Sequence, residues 1–241
     1  MIIRIMDTDI NYIQYGKGSD VVLLHGWGQN IKMMDPIGKG LKSHCRVTII
    51  DLPGFGDSSE PTYGWSVYDY CEMLRELILK LKLNNPTIIG HSFGGRIGLI
   101  YASKYDIKKL ILFASPFRKM QTHLTIKQKI LKFLKKVPVI NKLESTAKKY
   151  IGSADYRNAS ITMREILVNT VNEDLTESVK NIKCSTLLIW GENDAEVLVS
   201  EAQLLSELIN DSGLIVYPNC GHYAYLENIN QTIKILNEFI K

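Results

Sequence analysis

Ile88-Ile89-Gly90-His91-Ser92-Phe93-Gly94-Gly95 is the stretch on which the reading of this chain turns. An apolar, β-type run from Thr87 to Ile89 ends at Gly90. A serine follows two residues later, and a helical pattern from Arg96 to Lys104 starts at once. This is Gly-x-Ser-x-Gly between a strand and a helix, the pattern of a nucleophile elbow. Such a turn leaves no room for side chains two residues either side of the serine, which accounts for Gly90 and Gly94. It also forces the serine into a strained backbone conformation that lifts its hydroxyl clear of the surface. A glycine-rich strand-to-helix turn carrying an incidental serine would read the same way, so the flanking sequence has to decide.

Working outward, buried-type strands alternate with helical segments. Ile2 to Met6 and Ile10 to Tyr15 alternate in polarity and read as an antiparallel hairpin. Val21 to Leu24 and Val47 to Ile50 are wholly apolar or nearly so, as expected of strands covered on both faces. Ile31 to Leu41 between them reads as a helix. Ser66, with Asp69 three residues on, caps a helix whose apolar positions Val67, Tyr70, Cys71, Leu74, Ile78 and Leu81 follow the helical repeat. Beyond the elbow, Lys109 to Phe113, Thr186 to Trp190 and Leu214 to Tyr217 read as strands, and Val199 to Asn210 and Ile229 to Ile240 as helices. Alternation of this kind implies an α/β domain with a mostly parallel central sheet, right-handed crossovers and flanking helices. It is interrupted from Phe117 to Lys180, where the chain is helical in pattern and rich in lysine. The expected organisation is a core made of residues 1–116 and 181–241 with a helical insertion at 117–180.

The bulk properties agree with an ordinary globular domain. The chain has 241 residues, 45% hydrophobic and 22% charged, enough for one sizeable core. The N-terminus carries charge before any long apolar stretch, so neither a secretory signal nor a membrane-spanning run is expected, and the expected location is the cytoplasm. Cys45, Cys71, Cys184 and Cys220 are widely separated, which argues against disulfides and a cysteine-based metal site. No metal or other cofactor is called for. A net charge of +4 is too small to argue for nucleic acid.

In open parallel sheets ligands bind beyond the carboxyl ends of the strands. Four stretches there carry chemistry: the elbow with Ser92, Gly191-Glu192-Asn193-Asp194, Pro218-Asn219-Cys220-Gly221-His222, and His25-Gly26-Trp27-Gly28. A serine hydroxyl near neutral pH needs a base, and His222 is the candidate. An imidazole acting as base needs a carboxylate to hold its tautomer, and Asp194 is the candidate, with Glu192 and Glu196 as weaker contenders. The chain order is Ser, Asp, His. Other nearby groups read as structural: His25 bonded to backbone, His91 and Cys220 packed, Asp51 bonding a loop, and Arg96 paired with a carboxylate beneath the site.

These motifs resemble the α/β-hydrolase superfamily along nearly the whole chain, the 117–180 insertion being similar to its helical cap. Asp194 matches the family's acid loop, although the proline that often follows is absent. The alternative acid position after the elbow helix reads Ala114-Ser115-Pro116-Phe117, with no carboxylate. The resemblance implies an oxyanion hole made by the backbone N–H groups of Trp27 and Phe93, with Trp27 also facing substrate. Serine at the elbow, where dehalogenases and epoxide hydrolases carry aspartate, implies acyl transfer to water from a carboxylic ester or thioester. His25-Gly26-Trp27-Gly28 and Asp51-Leu52-Pro53-Gly54-Phe55-Gly56 most resemble carboxylesterases of the pimeloyl-carrier-protein methyl ester type. An acyltransferase, a carbon–carbon bond hydrolase on the same triad, and a non-catalytic binding protein of this fold stay open as alternatives.

The insertion is strongly basic in its first part: Arg118, Lys119, Lys127, Lys129, Lys132, Lys135, Lys136, Lys142, Lys148 and Lys149 are nearly unopposed, with Glu144 the lone acid among them. A solvated helix face accounts for this, and so does steering of an acidic carrier protein or an anionic surface. Ile126, Ile130, Phe133 and Leu134 interleave at helical spacing and would pack as a lid over a small-molecule acyl ester.

Overall fold

The structure, a computed structural model, describes residues 1–119 and 159–241. Eight strands form one sheet: β1 Ile2–Ile5, β2 Thr8–Tyr15, β3 Ser19–Leu24, β4 Cys45–Ile50, β5 Thr87–His91, β6 Lys109–Phe113, β7 Thr186–Gly191 and β8 Ser212–Tyr217. Their spatial order is β1-β2-β4-β3-β5-β6-β7-β8. β1 with β2, and β2 with β4, pair antiparallel, while every pairing from β4 through β3 to β8 is parallel.

The apolar strands make two cores because successive side chains point to opposite faces. Val22, Leu24, Ile88, Leu110, Leu112, Leu188 and Trp190 face one core. Val21, Leu23, Ile89, Ile111, Phe113, Leu187 and Ile189 face the other. A strand buried on both sides has no polar face to alternate with, which is why these runs read as continuous hydrophobic stretches. The first core is closed by α2 Val67–Lys80, α3 Phe93–Lys104 and α6 Val199–Leu208. The second is closed by α1 Ile31–Leu41 and α8 Ile229–Ile240, whose buried faces include Ile37 and Leu236. α2 starts on a full capping box: Ser66 Oγ accepts from Asp69 N, and Asp69 Oδ2 accepts from Ser66 N at 2.7 Å.

Within the 117–180 stretch the described residues hold α4 Ile161–Asn172 and the single turn α5 Thr176–Val179. Leu175 N donates to Phe117 O at 2.8 Å, tying the two ends of the insertion together beside the core. The lysines from Lys127 to Lys149, Glu144, and the lid candidates Ile126, Ile130, Phe133 and Leu134 lie outside the described residues. Among the described residues no helix is long and apolar enough to cross a membrane. All four cysteines are free thiols.

Candidate active site

The parallel register brings the carboxyl ends of β5, β7 and β8 to one edge of the sheet, and the three candidate loops leave from there. The elbow is tighter than an ordinary strand–helix turn. Ser92 has φ 49° and ψ −110°, a strained conformation for a residue with a Cβ. Backbone bonds hold it there: Ser92 N donates to Phe113 O at 2.9 Å, and Gly94 N to His25 O at 3.1 Å. A Cβ on Gly90 would come within 2.6 Å of Gly94 O, and one on Gly94 would run into the carbonyl oxygens of Leu24 and His25. Glycine at both positions is therefore a matter of space.

Asp194 and His222 meet. His222 Nδ1 lies 2.9 Å from Asp194 Oδ2, with both side chains almost wholly buried. The other carboxylate oxygen, Oδ1, accepts Glu196 N at 2.8 Å and Val197 N at 2.9 Å, so the carboxylate is held in place independently of the imidazole. The two loops are also tied to each other. Asn193 N donates to Cys220 O at 2.8 Å, and Glu192 N to Tyr217 O at 2.9 Å. Glu192 is occupied elsewhere, accepting Asn219 N at 3.1 Å. With Nδ1–H donating to Asp194, the lone pair of the neutral ring is on Nε2, the form a general base requires.

Ser92 does not complete the relay in this structure: its Oγ makes no hydrogen bond to His222 Nε2. That nitrogen instead faces Glu196, whose Oε2 is 3.5 Å away on a side chain that is 67% exposed. Ser92 and Glu196 line the same cavity, so hydroxyl and imidazole border one space. Contacts of this kind are often long without substrate and tighten when it binds. Sequence spacing placed Glu196 near the site but could not say that it would sit at the opposite ring nitrogen from Asp194.

His91 lies against His222. Its ring centroid is 4.8 Å from that of His222, and its Nε2 is 3.2 Å from His222 O. Burial holds His91 at about 3, far below an ordinary histidine, so it stays neutral and packs. His25 is likewise structural. Its Nδ1–H donates to Gly26 O at 2.7 Å and its Nε2 accepts Leu52 N at 2.9 Å, which uses both nitrogens of the neutral ring. Burial lowers it to about 4. Asp51 bonds its loop as a spacing reading expects, accepting Ile31 N at 2.7 Å and Asp57 N at 2.9 Å.

Arg96 departs from expectation. It makes no ion pair with a carboxylate among the described residues. Its Nη1 and Nη2 donate to two backbone carbonyls, Pro116 O at 3.3 Å and Glu173 O at 2.6 Å. The helix starting at Phe93 aims this side chain toward the insertion, where carbonyls are nearer than side-chain carboxylates.

A cavity of about 480 Å³ opens beside Ser92, lined among others by Trp27, Phe93, Arg96, Leu167, Thr170 and Val197. The Trp27 ring stacks edge-on against Phe55 at 4.9 Å and Phe93 at 5.4 Å, which fixes the loop that carries it. The backbone N–H groups of Trp27 and Phe93 donate to no other described residue, and Phe93 N is at the first turn of α3. Free N–H groups at a helix N-terminus suit a developing negative charge.

The comparisons with known proteins agree with this architecture. The family profile described as the alpha/beta hydrolase fold matches residues 21–138. Monoacylglycerol lipase ABHD6 of Mus musculus is 24% identical over 256 residues, covering 93% of this chain and 76% of its own. A pimeloyl-acyl-carrier-protein methyl ester esterase of Aliivibrio fischeri is 24% identical over 259 residues, covering 98% of both chains. Among solved structures, the esterase EaEST from Exiguobacterium antarcticum superposes with a TM-score of 0.78 at 25% identity, covering 99% of this chain and 98% of its own.

Proposed function

We propose that this chain, a member of the α/β-hydrolase superfamily and a hydrolase, cleaves a carboxylic ester or thioester with Ser92 as nucleophile, His222 as base and Asp194 as its orienting acid. The observation that carries this reading is the 2.9 Å Asp194–His222 pair, buried at the strand edge where strained Ser92 projects into a shared cavity.

In this mechanism His222 Nε2 takes the Ser92 proton as Oγ attacks the substrate carbonyl. The tetrahedral oxyanion is held by the N–H groups of Trp27 and Phe93, an interaction typically worth on the order of 10²–10³ in rate per donor. The protonated imidazole, steadied by Asp194, gives its proton to the departing alcohol or thiol. An acyl-enzyme on Ser92 remains. Water, deprotonated by the same nitrogen, then releases the acid. The 117–180 segment acts as a cap over the cavity, a role supported by Leu167 and Thr170 of α4, which line it. The substrate is a small-molecule acyl ester, and the two esterase-type relatives support that class.

Hydrolysis of short-chain p-nitrophenyl esters tests the reading, with Ser92→Ala as control. The wild-type protein should turn over, label with a fluorophosphonate probe at Ser92, and lose on the order of 10³-fold or more in kcat on substitution. Equal turnover by the two proteins would overturn it.

A further inference from the structure

Two residues that line the cavity beside Ser92 each hold a buried polar atom that the proposed triad does not use. Arg96 lies four residues after Ser92, in the first turn of α3, and is 2% exposed. Both of its terminal nitrogens go to neutral carbonyls, and among the described residues its Nε has no hydrogen-bond partner. Thr170 of α4 is 3% exposed and lines the same cavity, and its Oγ1 is equally without a partner. Burying an unsatisfied donor costs about 1–3 kcal/mol, and native interiors contain few of them. Two of them on residues that line one cavity point to a place where a ligand supplies the missing acceptor.

The chemistry selects an anion over a neutral carbonyl. Among the described residues Arg96 is a buried cation with no ion-paired carboxylate. Burial pulls it down to about 10, and the carboxylates of Glu173 and Asp174 offset this only at longer range. The other charged groups lining the cavity are committed or exposed. Arg118 grips Glu201 through two bonds of 2.8 and 2.7 Å, Lys119 is exposed, and Glu196 faces His222. A desolvated guanidinium is rewarded most by an anionic acceptor, and a carboxylate is the one an acyl substrate can carry.

We infer that Arg96 Nε–H and Thr170 Oγ1–H together bind a carboxylate carried by the acyl part of the substrate, so that the preferred substrates are monoesters of short dicarboxylic acids. The inference rests on Ser92 being the nucleophile. Arg96 follows Ser92 by only four residues, in the first turn of α3, which places the bound carboxylate a few carbons from the scissile carbonyl.

The test is the ratio of kcat/KM for monomethyl succinate, glutarate and adipate to that for their dimethyl esters, followed by methanol release. The wild-type protein should favour at least one monoanion about tenfold or more, with the preference carried in KM. Thr170→Val and Arg96→Lys should each lower that ratio about tenfold, and Thr170→Ser should restore it. Should Arg96→Lys fail to fold, Thr170→Val carries the test. A wild-type ratio at or below one for all three acids overturns the inference, as does an equal loss on both ester types in Thr170→Val. Calorimetric titration of Ser92→Ala protein with glutarate and with dimethyl glutarate separates this from the esterase reading. Binding of glutarate that Thr170→Val removes supports the carboxylate site whether or not Ser92 is the nucleophile, and absence of binding overturns it. Serine-dependent hydrolysis without a carboxylate preference would leave the esterase reading standing and end this one.

Discussion

Asp194→Asn is the perturbation whose size the geometry defines best. The two side chains have the same shape, so the fold has no reason to respond. What changes is the hydrogen-bond code. Oδ1 of Asp194 accepts two backbone N–H groups, from Glu196 at 2.8 Å and Val197 at 2.9 Å, while Oδ2 accepts the His222 Nδ1 proton. An asparagine has one oxygen for these two tasks. Turning its NH₂ toward the two backbone donors would leave both unsatisfied, at about 1–3 kcal/mol each. The oxygen therefore stays on the backbone pair, and the NH₂ faces Nδ1. A donor at that place makes Nδ1 an acceptor and moves the ring proton to Nε2, the nitrogen that takes the Ser92 proton in the proposed mechanism. The wrong tautomer typically costs on the order of 10⁴ in kcat, or about 5 kcal/mol of barrier. The assay is p-nitrophenyl ester hydrolysis by wild type, Asp194→Asn and Glu196→Gln, with circular dichroism to verify that each is folded. A folded Asp194→Asn protein that keeps more than about a tenth of wild-type kcat would refute the reasoning. If Glu196→Gln took the loss instead, the orienting acid would be Glu196.

Two further outcomes follow from the packing beneath the site. His25 and His91 are held at about 4 and about 3 in the folded protein, against 6.5 for a free histidine, because burial penalises their charged forms. A lowered folded value means stability that is present above about pH 6.5 and lost as pH falls toward the folded values, since the unfolded chain takes up protons that the native chain refuses. Urea denaturation at pH 7.5 and pH 5 should differ by on the order of 2 kcal/mol per histidine, and a flat profile over that window would count against their buried neutral state. Gly94→Ala should destabilise the fold by roughly 1–3 kcal/mol or more, because its Cβ would meet His25 O at 2.6 Å and backbone cannot step aside as a side chain can. Denaturant midpoints measure this, and a midpoint within error of wild type would contradict the close approach.

Much of the fold is legible in the sequence because its signals are local. Continuous apolar runs such as Val21 to Leu24 mark strands covered on both faces, and Ser66 with Asp69 marks a helix start, since cap and period depend on neighbours a few residues away. Gly90, Ser92 and Gly94 mark the elbow for the same reason. The strand order was not legible. β4 inserts between β2 and β3, pairing antiparallel on one side and parallel on the other, and no local pattern distinguishes that from a simple meander.

The site divides along the same line. The elbow motif, the placement of three loops past strand ends and the chain order together brought forward Ser92, Asp194 and His222, because the βα alternation sets the polarity of the strand each follows. Only the tertiary structure decided which carboxylate meets which nitrogen, with Asp194 at Nδ1 and Glu196 at Nε2. Only the tertiary structure turned Arg96 toward carbonyls rather than a carboxylate, and put Thr170, 78 positions after Ser92, in the same cavity wall. The physical reason is that backbone conformation answers to near neighbours. The partner of a polar side chain answers to whatever distant segment the packing of two cores happens to press against it.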